Sequence, residues 1–283
     1  MAQRIDLQTF YSGLDALFRE HDKSALGAYL EEWLLKARDA SDQQGIVAVC
    51  NELGGYKRAI GELDAAKLLY TEALERLEAM GKKDSVDAAT TLINTGDVYV
   101  FSREHEAALD CFLQAKTCLE AHGLHRDYRM AALCNNISMS YSALGRFDEA
   151  AYALEQAFSI VKGVADMRAE LATTYINLGA LQAKQRKLVL AEESYRAACL
   201  IFDEDGGVDV HYAQAESGLG EVAFLRGDYA EAKHHFERAL LLIERDFGRN
   251  AYYRMLAQTL EMIEKSGRRR CSDARITTRK GVF

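Results

Sequence analysis

The feature that most constrains this chain is a pattern of small and bulky residues that returns five times at a nearly constant interval. A small residue recurs as Gly54, Gly96, Ser138, Gly179 and Gly220, at spacings of 42, 42, 41 and 41 residues. Twelve positions after each stands an alanine: Ala66, Ala108, Ala150, Ala191 and Ala232. Four further on comes Tyr70, Phe112, Leu154, Tyr195 or Phe236, and three beyond that Ala73, Ala115, Ala157, Ala198 or Ala239. Steps of three and four place residues on one side of a helix. Two antiparallel helices approach closely only where side chains are small, and a bulky residue plugs the hole between one hairpin and the next. A fixed period of this length implies stacked hairpins rather than a single closed core.

The rest of the chain agrees with helix. Its 283 residues contain no proline, the residue that breaks helix interiors. Gly61, Gly145 and Gly227 supply a left-handed turn between the two helices of three repeats. Asp64 and Asp148 follow at the start of the second helix, where a carboxylate meets unpaired backbone amides. A composition 49% hydrophobic and 28% charged excludes a disordered chain. Nothing approaches the ~20 apolar residues of a membrane span, and residues 1–10 carry no leader-length apolar core, so a cytoplasmic protein with no membrane partner is expected.

These motifs resemble the tetratricopeptide repeat, whose signature is LG-x2-Y-x8-A-x3-F-x2-A, over about residues 46–247. HEAT and armadillo repeats have a similar period without this Gly–Ala–Phe–Ala set. The family's usual period is about 34 residues. The family's repeat-ending proline is absent here, and the longer period is similar to the repeats of kinesin light chain and of bacterial peptide sensors. The resemblance implies an all-α, right-handed superhelical solenoid of antiparallel helix hairpins. Residues 1–45, with Gly13, Ala25 and Tyr29 in register and Trp33 packed among them, read as a degenerate first hairpin. Residues 46–247 then hold five repeats, residues 248–267 a capping helix, and residues 268–283 a basic, disordered tail. That tail carries six cations against Asp273, a net +5. With a total of −8, the remaining 267 residues bear −13.

In the family, the first helices line the concave face, and the residue two before the key glycine points into it. Glu52, Asn94, Asn136, Asn177 and Gly218 occupy that place. Stacking at helix-packing distance would set the three asparagines ~10 Å apart. An amide offers both a donor and an acceptor, so it can pair with the backbone of an extended peptide whatever its sequence. Asn51 and Asn135, one residue earlier, are secondary candidates. The competing expectation is that these asparagines only link neighbouring helices. Glu52, Asp97 and Glu221 add acid to the same face, with Arg58 and Lys184 opposed, which favours a basic or mixed-charge segment. The family's carboxylate clamp needs Lys or Arg where this chain has Ile93, Asn135 and Ile176, so it is not expected.

No constellation points to catalysis: there is no nucleophile elbow, P-loop or HExxH. Six cysteines without a CxxC read as buried thiols, not as a disulfide or zinc framework. Cys118, His122 and His125 have helical spacing for metal ligands, but Gly123 ends the helix there and no fourth ligand follows. Of His234 and His235, one faces solvent. The expected function is a non-enzymatic adaptor that holds a protein or peptide and carries no cofactor. The alternatives are a peptide-responsive regulator and a self-associating assembly subunit. Nucleic acid enters only through the basic tail.

Overall fold

The computed structural model describes residues 4–20, 23–204 and 210–279. Among them are thirteen α-helices, one short 3-10 turn and no strand. The chain divides into two compact units, residues 1–145 and 146–283.

The first unit holds α1 (Leu7–Glu20), α2 (Lys23–Asp39), α3 (Gln43–Ala59), α4 (Leu63–Ala79), α5 (Val86–Phe101), α6 (His105–Ala121) and α7 (Tyr128–Ala143). Helices consecutive in the chain pack against each other, and α3, α5 and α7 touch along one side. The recurring residues explain that arrangement. All the repeat alanines are fully buried, as are Tyr70 and Phe112. A Cβ added at Gly54 would lie 2.7 Å from the Tyr70 ring, and one at Gly96 would lie 2.4 Å from Phe112. Each glycine is thus the seat of the bulky residue sixteen positions later. Burying such a ring is worth about 2–3 kcal/mol, which only this close approach makes available. The same pairing recurs before the five repeats, where Gly13 faces the Tyr29 ring, and Gly27 of α2 meets the Tyr56 ring of α3. Trp33 sits at 5.5 Å from Phe10 and 5.9 Å from Tyr29 in the core of α1 and α2.

The second unit holds α8 (Phe147–Val161), α9 (Arg168–Lys184), α10 (Leu188–Glu204), α11 (Val210–Arg226), α12 (Tyr229–Phe247) and α13 (Ala251–Arg279), with a 3-10 turn at Ala165–Met167. Tyr195 is wedged between α9 and α11: a Cβ would lie 3.0 Å from its ring at Gly179 and 2.4 Å at Gly218. One aromatic side chain therefore joins its own hairpin to the next. Leu256 and Ile263 of α13 are buried with Phe236 and Ile243, closing the apolar side of α12.

Helix ends follow two rules. Asp42, Ser85 and Asp127 cap α3, α5 and α7 through their side chains, the acceptors of the Gly45, Ala88 and Arg129 amides. Second helices begin without such a cap at α4, α6 and α8, where Asp64, Glu106 and Asp148 act only as charges in the first turn. The left-handed position between helices is glycine in three repeats, but Arg103 (φ 61°) and Arg186 (φ 62°) adopt it in the other two.

The expected disorder from residue 268 is corrected: α13 continues to Arg279. Once Leu256 and Ile263 fix its first turns, elongation needs no new nucleus, and Ser266 and Gly267 cost only about 1 kcal/mol each at most. Residues 280–283 lie outside the described residues. No helix among the described residues is long and apolar enough to cross a membrane.

Candidate functional site

The first helices of the first unit carry a continuous row of polar side chains, assembled from residues about one repeat apart. Asn94 of α5 donates through Nδ2 to Asn51 Oδ1 of α3 at 3.0 Å. Asn51 in turn donates to the buried Thr91 hydroxyl at 3.0 Å and to the Val47 carbonyl at 3.0 Å. One turn further along, Arg58 of α3 donates to Asp97 Oδ2 of α5 at 2.7 Å. Asn136 of α7 donates to the other oxygen of the same carboxylate at 3.1 Å. Arg58 and Asp97 keep 28% and 27% of their side-chain surface, so the pair is partly open to solvent. Burial holds the Asp97 carboxyl above its ordinary value, outweighing the opposite pull of Arg58.

Two consequences separate the expected residues. Asn94 and Asn136 link neighbouring helices, as the competing expectation held, through their NH2 groups. Their carbonyl oxygens accept no hydrogen bond from the described residues, so each amide still presents an acceptor. Arg58 and Asp97 neutralise each other and do not set a net charge for the face.

Glu52 lies apart from this row. It is half-buried at the edge of a pocket of about 330 Å³ between α1, α2 and α3. Burial first, and the nearby Asp15 second, raise its carboxyl above the ordinary range. The remaining residues belong to the second unit. Asn177 of α9 buries its Nδ2 without a hydrogen-bond partner. Lys184 is exposed at the end of α9, and the exposed Glu221 of α11 borders a trough lined by Phe224, Met255 and Met262.

A charged cluster in the second unit was not expected. Glu216, 1% exposed, takes Nδ1 of the buried His235 at 2.8 Å and Nε of Arg238 at 3.1 Å. Cys199 packs against the same carboxylate, and its thiol is pushed up to about 12, chiefly by burial. His234 is the exposed member of the histidine pair. The signal for this cluster was present: Glu216 stands four residues before its repeat's glycine, where Cys50, Leu92, Cys134 and Tyr175 stand in the others. At the thiol–imidazole candidate, α6 ends at Ala121 and His122 Nδ1 bonds the Cys118 carbonyl at 2.8 Å. No group of three His, Cys, Asp or Glu side chains is placed for a metal among the described residues.

Models of the tetratricopeptide repeat match residues 46–121 and 130–165. Over those residues the chain carries tetratricopeptide repeats. Solved structures of similar fold include BtubC (BKLC) from P. vanneervenii, 22% identical, with a TM-score of 0.64 over 78% of this chain and 91% of that one. NprR in complex with its cognate peptide NprX is 18% identical, with a TM-score of 0.68 over 91% and 74% of the two chains. The apo form of the quorum sensor NprR from B. thuringiensis gives 0.70 at 16% identity, over 93% and 72%. No curated protein matches the sequence. The tetratricopeptide architecture accounts for the polar row: first helices of successive repeats lie side by side, so equivalent positions become neighbours.

Proposed function

We propose that this protein is a non-enzymatic scaffold that holds an extended segment of another protein, or a peptide, against the face built by its first helices. The observation that carries the reading is the state of Asn94 and Asn136. Their NH2 groups are tied to Asn51 and Asp97, which fixes the amide planes, while their carbonyl oxygens remain open to a backbone N–H. Acceptors already held in place lower the ordering cost of binding. Glu52, Glu221 and Lys184 add charge at the margins, and Glu52 and Glu221 favour a basic or mixed-charge segment. The working compartment in this reading is the cytoplasm. The likeness to NprR with its peptide supports the same class of ligand, and it also favours a second reading as a peptide-responsive regulator.

The test is a displayed peptide library selected against wild type and an Asn94→Ala/Asn136→Ala variant. The expected result is captured peptides whose affinity falls by roughly 10-fold or more in the variant, about two hydrogen bonds' worth. Equal capture of the same peptides by both proteins would remove the assignment.

A further inference from the structure

The pocket beside Glu52 has chemistry that the polar row lacks. Leu14 and Phe18 of α1, Leu30 of α2, and Tyr56 and Ile60 at the end of α3 line it, and its volume is about 330 Å³. That is near the lower end for small-ligand sites, ~300–1,000 Å³, and suits one bulky side chain with its adjoining backbone. Phe18 and Ile60 leave 55% and 43% of their surface in water, so an occupant would cover apolar area that the fold does not.

Charge specifies the occupant further. Glu52 pairs with no cation among the described residues. Arg58, the only base among the described residues of the lining, is committed to Asp97 at 2.7 Å. Asp15 adds a second acid close enough to act on Glu52. Two acids beside an apolar pocket, with the local arginine spent elsewhere, form a surface complementary to a positive charge. The body of a second copy is a poor match, since residues 1–267 carry −13.

We infer that this pocket receives a bulky apolar side chain of a bound peptide whose neighbouring residue is cationic, with Glu52 accepting that cation. The inference rests on the peptide-scaffold reading and states what the N-terminal end of the face selects. Asn94 and Asn136 would hold backbone, whereas this pocket would fix register and composition. The apolar part supplies contact area and the carboxylate rejects acidic neighbours.

The experiment is an NMR titration of the isotope-labelled full chain with three short probes: acetyl-Phe-Lys-amide, acetyl-Phe-norleucine-amide and acetyl-Phe-Glu-amide. Saturable shifts should fall on the Gly55, Ala59 and Ile60 amides. The lysine probe should bind roughly five-fold more tightly than the norleucine probe, as expected of a partly exposed ion pair, with the glutamate probe weakest. Glu52→Gln should erase the lysine preference while the norleucine probe still binds, which also shows that the variant is folded. Equal binding of the lysine and norleucine probes to wild type would overturn the inference. So would a preference that survives Glu52→Gln, or shifts confined to other helices. Phenethylamine binding as tightly as the lysine probe would make the occupant a small amine and overturn the peptide. Shifts at the same amides on raising protein concentration alone would assign the pocket to a second copy and do the same. Asn51, Asn94 and Asn136 do not line this pocket. Failure here with successful library capture therefore removes the pocket alone, and the reverse pair of results removes the asparagine assignment alone.

Discussion

Arg58 of α3 and Asp97 of α5 form a 2.7 Å ion pair between consecutive hairpins, and Asn136 of α7 binds the second oxygen of the same carboxylate. One acid thus ties three first helices together. Its native-state value is raised, so ionisation of Asp97 opposes folding. The stability it contributes is present at low pH and is lost as pH climbs from the unfolded value toward the raised one. Arg58 offsets that loss. Denaturant unfolding of Arg58→Ala should therefore show a cost of about 1 kcal/mol at pH 7 that shrinks toward zero near pH 3. An equal cost at both pH values would mean that Arg58 acts by packing alone, for instance on the Phe101 ring 5.8 Å away.

The seat of each bulky residue can be tested by adding one carbon. Gly96→Ala would bring a Cβ to 2.4 Å from the fully buried Phe112 and should destabilise the protein by about 2–3 kcal/mol. Gly55→Ala is the matched control. The nearest atom is the Tyr70 hydroxyl at 3.8 Å, so the substitution should stabilise by about 0.5–1 kcal/mol through helix propensity. Thermal unfolding of the two variants would distinguish steric from propensity effects.

Arg103 and Arg186 hold the left-handed turn that glycine holds at Gly61 and Gly145. A side chain in that conformation costs about 1 kcal/mol or more. Arg103→Gly should gain about 0.5–1 kcal/mol, because the strain removed exceeds the backbone entropy restored to the unfolded chain. Chemical denaturation should show a higher midpoint with an unchanged slope.

Cys50 and Cys199 should be unreactive in the folded protein. Burial pushes both thiols up to about 12, and the carboxylates of Glu72 and Glu216 push in the same direction. Iodoacetamide at pH 8, read residue by residue by mass spectrometry, should label neither within the time that labels both after denaturation. Rapid native labelling of Cys199 would show that α10 and α11 open readily.

Much of this fold was legible in the sequence, because its cause is local and periodic. Gly54, Ala66, Tyr70 and Ala73 lie within one hairpin, and the glycine–ring contact returns at Gly96, Gly179 and Gly220. The polar row was legible only as positions. That Asn94 would meet Asn51, and Arg58 would meet Asp97, depends on the offset between adjacent hairpins, which no single repeat encodes. The extent of α13 was missed because charge in residues 268–279 was read as disorder, although the missing proline left nothing to stop the helix. Glu216 and His235 were missed differently. Glu216 shares its column with Cys50, Leu92, Cys134 and Tyr175, and His235 shares its column with Leu69, Cys111, Ala153 and Ser194, so each is visible only when the repeats are compared column by column.

In the scaffold reading, ligands lie on first helices, against Asn94, Asn136 and their neighbours. The most direct measurement is photo-crosslinking with a captured peptide carrying benzoylphenylalanine at successive positions, mapped by mass spectrometry. The expected crosslinks fall on α3, α5 and α7 and advance by one helix as the probe moves along the peptide. Crosslinks confined to α4 and α6 would contradict that reading.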